Sequence, residues 1–294
     1  MRINKPGSIL AMALAVMMLF LGSCDKDNEA RLPYYLYIDT VVVKTDLFHQ
    51  GAPTHNITDL WVYAGGKFVG VFDKKKIIPI LPEDNADNEI LIFAGVRENG
   101  IKIEVNIYYL YKEYKYSLRK PPGVIDTVKV EFRYVDHAKF LFIEGFENTN
   151  IFNMDLDGDP ATALKRTMEE ACWGRYSGKV MLTEEHNIFS ATTKLDYFGI
   201  PDKGNLVYLE LDYKGNVPFV IGVSGKDKDE NEYKQDIILL KEKDNWQKVY
   251  VNLTQTIQQS ALQSYKIYFN AIHNEKAGTS LLYLDNIKLL YSDK

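Results

Sequence analysis

From Tyr34 onward, apolar positions recur with a period of two, in short runs broken by turn residues, which predicts an all-β protein. Ile38–Lys44 is rich in Val and Ile. Leu60-Trp61-Val62-Tyr63 and Lys67–Phe72 flank Gly65-Gly66, a pair that supplies the positive φ angles of a tight hairpin turn. Glu89–Val96 and Ile101–Tyr111 predict further strands. Asp126–Val135 sets Val128, Val130, Phe132 and Tyr134 on one face against Thr127, Lys129, Glu131 and Arg133 on the other.

The finished amphipathic strand at Asp126–Val135 meets a new start at Phe140, so a boundary is expected near residues 135–139, with Pro121-Pro122-Gly123 as the rival position. Beyond it, Asp159-Pro160 predicts a short helix to about Glu170, with Asp as N-cap and Pro in the first turn. Leu206–Tyr213 alternates again, Val207, Leu209, Leu211 and Tyr213 against Tyr208, Glu210 and Asp212.

The first 33 residues follow a different pattern. Arg2 and Lys5 precede an uncharged apolar run from Ile9 to Gly22, shorter than the about 20 residues a membrane-spanning helix needs. Leu21-Gly22-Ser23-Cys24 resembles a bacterial lipobox, which implies a signal peptide over residues 1–23 and a lipidated Cys24. The acidic stretch Asp25-Lys26-Asp27-Asn28-Glu29 is similar to lipoproteins of the Bacteroidetes. That likeness implies outer-membrane anchoring at the cell surface, with the periplasmic face as the alternative. Residues 24–33 are expected to form a tether.

Two further resemblances concern the body. Residues 34–136, through the segment Trp61–Gly95, resemble a small Ig-like or PEGA-like β-sandwich. In residues 139–294, Phe146-Glu147, Ser177-Gly178-Lys179, Trp246-Gln247-Lys248-Val249 and Tyr283-Leu284-Asp285-Asn286-Ile287 follow one another. In that order they resemble jelly-roll carbohydrate-binding modules of the galactose-binding-like class. The expected architecture is two β-sandwiches with one short helix.

Composition narrows the function classes. With 46% hydrophobic and 26% charged residues the chain is an ordinary globular one. A net charge of −5 and no basic stripe argue against a nucleic-acid partner. Of two cysteines, one carries the expected lipid, so Cys172 is left without an intramolecular disulfide partner. The five histidines form no zinc-type pair, and no Gly-x-Ser-x-Gly, Walker or dinucleotide motif is present. Glu184-Glu185-His186 is expected to be a solvated turn. Asp155-Leu156-Asp157-Gly158-Asp159 departs from EF-hand spacing and suits a turn.

The candidate chemistry is a carboxylate in an apolar stripe. Leu281, Tyr283, Asp285, Ile287 and Leu289 alternate on one face, which places Asp285 toward the core, where a carboxylate needs a cation or several donors. The jelly-roll resemblance implies a structural calcium held by Glu147 and Asp285; backbone N–H bonds to Asp285 are the other reading. For a glycan, exposed aromatic faces matter, because sugar rings stack through their C–H surfaces. Trp61 and Trp246 lie within apolar strands and are expected in the core. Trp173 and Tyr176 flank Gly174 in a loop and are the candidate sugar platform, with packing under the helix as their other role. The expected function is non-enzymatic binding of a polysaccharide or glycoconjugate by the C-terminal unit, the N-terminal unit serving as spacer. The alternative is an assembly lipoprotein of the envelope that docks another protein.

Overall fold

A computed structural model describes residues 32–81, 89–100, 105–201 and 203–293. The expected leader, Cys24 and nearly all of the tether lie outside them, as do residues 101–104 of the expected strand Ile101–Tyr111.

The N-terminal unit contains β1 (Tyr34–Val43), β2 (Asp59–Ala64), β3 (Lys67–Asp73), β4 (Ile77–Ile80), β5 (Glu89–Arg97), β6 (Val105–Ile107), β7 (Tyr114–Ser117) and β8 (Ile125–Phe132). One sheet has the order β4-β1-β8, with β1 and β8 parallel; the other runs β3-β2-β5-β6, with β7 also paired to β5. Their inward residues, Leu36, Ile38, Val128 and Val130 from the first and Leu60, Val62, Ile92 and Ala94 from the second, share one core, which makes the unit a β-sandwich. The β2–β3 hairpin turns at Gly65 (φ 54°) and Gly66 (φ 78°), as the Gly-Gly pair predicts.

The C-terminal unit adds β9 (Ala138–Glu144), β10 (Met154–Asp155), β11 (Lys165–Thr167), β12 (Ser177–Leu182), β13 (Ile188–Thr192), β14 (Tyr197–Phe198), β15 (Val207–Gly215) and β16 (Phe219–Lys226). It closes with β17 (Glu232–Leu240), β18 (Lys243–Asn252), helix α1 (Thr254–Ser260), β19 (Ser264–Ile272) and β20 (Ser280–Ser292). One sheet carries the order β12-β20-β15-β18, the other β13-β19-β16-β17. Among these eight strands, the first pairs with the last and the second with the last but one. That is the two-Greek-key winding of a jelly roll. Phe219, Ile221, Ile267 and Phe269 of one sheet meet Leu209, Leu211, Val249, Leu284 and Leu289 of the other across an apolar core.

Three expectations are corrected. No helix forms over Asp159–Glu170: Asp159 does close one turn, accepting from Ala161 N and Thr162 N, but Leu164 is drawn into the core and Lys165–Thr167 pairs with β12. Among the described residues the helix is α1 instead, stopped by Ala261 in the left-handed region. Trp61 and Trp246 are not core residues; both sit half-buried on outward faces, Trp61 against Phe68 and Trp246 against Tyr283. Asp285 does not share the core-facing stripe. A bulge at Asn286 (φ 49°) inserts an extra residue opposite β15, so the core side reads Leu282, Leu284, Ile287 and Leu289. Asp285 lies on the opposite face and is buried there.

That opposite face is covered by the N-terminal unit. Tyr208, Tyr250 and Leu290, on outward positions of β15, β18 and β20, belong to the core cluster of the N-terminal sandwich. Glu98 bridges to Tyr250, and Asn99 N donates to Tyr250 O at 2.9 Å. Hydrophobic burial therefore crosses the seam. Among the described residues no helix is long and apolar enough to cross a membrane.

Candidate functional site

The predicted residues converge on the loop that connects β11 to β12. Asp285 Oδ2 accepts the N–H of Cys172 (2.8 Å) and of Trp173 (3.2 Å), while its Oδ1 accepts Asn286 N at 2.7 Å. Glu147 Oε1 accepts from Arg175 N (2.7 Å) and Tyr176 N (3.0 Å). Two carboxyl groups thus hold the two ends of one loop, through hydrogen bonds from the backbone N–H groups of Cys172, Trp173, Arg175 and Tyr176. Between them Gly174 has φ +82°, and a Cβ there would stand 2.2 Å from Glu147 Oε1. Any other residue would be strained in that backbone conformation and would push the Glu147 carboxyl off the loop.

The loop presents its two aromatic rings differently. Trp173 is 48% exposed. Tyr176 packs on the core, and Arg166 lies over its ring at 4.3 Å while donating to Phe146 O and Glu147 O, each at 2.6 Å. Arg166 also lines a groove of about 250 Å³ with Lys165, Glu169 and Lys179. Trp173 is therefore the accessible ring of this loop, and Tyr176 the one packed on the core.

These residues do not fit a calcium ion. Calcium takes 6–8 oxygen ligands, whereas three of the four oxygens of the Glu147 and Asp285 carboxylates already receive backbone N–H groups. Among the described residues no three His, Cys, Asp or Glu side chains assemble into a metal site. Burial pushes the Asp285 carboxyl up to about 7, opposed by the three N–H donors and reinforced by nearby Asp212. Cys172, beside it, is pushed up to about 12, mainly by burial and then by Asp212 and Asp285, so its thiol is a poor nucleophile. Glu144, which the sequence did not single out, is the buried carboxylate of the opening strand, accepting from Phe146 N (2.6 Å) and Ile151 N (2.7 Å).

The larger surprise lies on the seam. Glu210 accepts from Tyr108 (2.6 Å) and Tyr134 (2.9 Å) and stands 3.3 Å from Lys248 Nζ. Asp212 accepts from Thr54 (2.6 Å) and Asn286 (3.0 Å). Lys288 Nζ donates to Ala52 O at 2.7 Å and to Tyr134 Oη at 3.3 Å. Burial raises the Glu210 carboxyl, yet Lys248, Lys288 and the two tyrosines lower it by more, and the net shift is downward. Burial, with Lys248 adding to it, pulls Lys288 down to about 7. The signal available in the sequence was Lys288 between Ile287 and Leu289 and the polar partner face of Leu206–Tyr213, which reads equally well as solvated.

Where the seam opens, two grooves lie among the described residues. One, of about 640 Å³, lies between Asn56, Arg97 and Asn99 of the first unit and Tyr213, Leu240 and Gln247 of the second. The other, of about 400 Å³, is rimmed by Trp61, Tyr63, Asn106 and Tyr109 and closed by Tyr208 and Asn252. Facing carboxylates in a glycosidase arrangement are seen at neither groove among the described residues.

No protein-family model matches this chain, and no curated protein matches it. Among solved structures, the xylan-binding family 22 carbohydrate-binding domain of Paenibacillus barcinonensis is similar over 54% of this chain and 99% of its own, at 12% identity and TM-score 0.37. A family 61 module in complex with β-1,4-galactotriose covers 49% and 92%, at 16% identity and TM-score 0.34. The K2 cleaved adhesin domain of Lys-gingipain covers 50% and 96%, at 13% identity and TM-score 0.34. At these identities and TM-scores none of them says what this chain binds.

Proposed function

We propose that this protein is a non-catalytic, lipid-anchored envelope protein that binds a polysaccharide through its C-terminal jelly roll. One observation carries the binding role: Trp173 stands half exposed on a loop whose backbone is fixed at both ends by Asp285 and Glu147. An aromatic face held rigid before the ligand arrives loses little entropy on binding. The Leu21-Gly22-Ser23-Cys24 motif supports the anchor, and the acidic residues behind it support a cell-surface address.

Affinity gels of soluble polysaccharides should retard the body of the chain, with dissociation constants of about micromolar to millimolar, roughly −8 to −4 kcal/mol. Trp173→Ala should weaken retention by roughly 1 kcal/mol or more with an unchanged circular dichroism spectrum. Release of reducing sugar would overturn the non-catalytic reading. Capture of an envelope protein with no glycan retention would replace it with an assembly role. Labelled palmitate should enter the wild type and not Cys24→Ser.

A further inference from the structure

The N-terminal sandwich carries an aromatic surface that a spacer has no use for. On the outward face of its larger sheet, Trp61 and Tyr63 of β2 pack against Phe68 of β3 with ring centres 5.6 and 5.3 Å apart, and Tyr63 meets Phe93 of β5 at 5.5 Å. Phe68 is 54% exposed, and Tyr109, on the far rim of the 400 Å³ groove, is 58% exposed. A monomer that gained nothing from this face would be expected to cover it or make it polar.

The groove is not an apolar slot. Asn106 contributes an exposed carboxamide at its rim. Its floor comes from the other unit, where Asn252 and Tyr208 are held in place by hydrogen bonds to Glu98. The indole N–H of Trp61 is buried and has no hydrogen-bond partner among the described residues. An unmatched buried donor is uncommon in a folded protein, and a ligand reaching it would supply the missing acceptor. Aromatic faces beside carboxamides suit a neutral sugar chain, whose C–H faces stack while its hydroxyls exchange hydrogen bonds. They suit an anionic ligand poorly, because no lysine or arginine lines the groove.

We propose that this groove, built jointly by both units, is a second binding site for a neutral polysaccharide. The proposal extends the glycan reading of the jelly roll and makes the N-terminal unit part of the binding surface.

The three tryptophans make the two sites separable. In the doubly substituted Trp173→Phe, Trp246→Phe protein, Trp61 is the sole tryptophan. Titration with β-1,4-xylan, β-1,4-galactan and mannan should change its fluorescence. In gels containing the same polysaccharides, Tyr109→Ala, at an exposed position, should raise the dissociation constant about 5-fold or more, and Trp61→Ala more than that. If Tyr109→Ala and Trp61→Ala bind as wild type while Trp173→Ala does not, the second site is disproved and the jelly-roll site stands. A silent Trp61 signal across a titration that saturates the gels would also disprove it. If none of the three polysaccharides retards the wild type, both sites fall. An envelope protein captured by the wild type and lost with Tyr109→Ala would assign the face to protein docking.

Discussion

The two faces of β15 are equally buried and chemically opposite. Inward, Leu209 and Leu211 meet an apolar core; outward, Glu210 and Asp212 lie at 0% and 2% exposure under the N-terminal sandwich. The inward face gains from transfer out of water whatever its neighbours, provided the volume is filled. Charges on the outward face must recover a desolvation cost of several kcal/mol each, and do so through Lys248, Tyr108, Tyr134, Thr54 and Asn286 in position. The inner face tolerates approximate fit; the outer one demands a specific partner. Any other arrangement of the two units that left one of these charges without its partner would be strongly disfavoured.

That contrast can be broken most forcefully at Glu210. Glu210→Ala leaves Lys248 and Lys288 buried without it and should cost about 3–5 kcal/mol in chemical denaturation. Leu211→Ala, one residue along, should cost about 2–5 kcal/mol by leaving a cavity. The decisive difference is rescue: Glu210→Ala combined with Lys248→Met should recover part of the loss. If the double variant is no more stable than Glu210→Ala, Lys248 is not the partner on which the charge depends.

The pH dependence of the seam should have a distinctive form. Lys288 has its folded value depressed to about 7, so its contribution to stability is fully present only above its ordinary value near 10.5 and is lost as pH falls through about 7. Asp285 has its folded value raised to about 7, so its contribution is present below its ordinary 3.8 and is lost as pH rises through about 7. Together they weaken the fold most around neutrality. Relative to wild type, Lys288→Met should flatten the rise in stability between about pH 7 and 10, and Asp285→Asn the fall between about pH 4 and 7. Parallel pH profiles for wild type and both variants would show that these side chains titrate as they do in the unfolded chain.

The smallest effect concerns the loop. With the Glu147 and Asp285 oxygens bonded to N–H groups, chelator and millimolar calcium should give the same Tm within error. A rise in calcium would show that the ion displaces those amides, since a ligand bound only to the folded state must raise Tm.

Much of the fold was legible because alternation and turn chemistry are local. The Gly65-Gly66 hairpin, the β8 alternation and the Leu206–Tyr213 alternation all stand where period two places them. The helix at Asp159 failed because its cap signal was real but only one turn deep, and pairing of Lys165–Thr167 with β12 won the rest. At the candidate site the residue types were legible and their relations were not. Trp173, Glu147 and Asp285 do meet, but as a clamped loop, because a single bulge at Asn286 moves Asp285 to the other face of its strand. Trp61 and Trp246 illustrate the same limit, since an aromatic residue in an apolar strand suits an inward or an outward face equally.

By itself the sequence determined that this chain is built of strands, where many of them begin and turn, and, in unbroken strands such as β8, which face carries the charges. It determined these because period, glycine conformation and the cost of burying apolar surface act over a few residues. Only the tertiary structure decided what lies over each polar face. Glu210, Asp212 and Lys288 read as solvated until the other sandwich closes over them, and whether each meets water or a partner depends on residues as far as 76, 158 and 236 positions away.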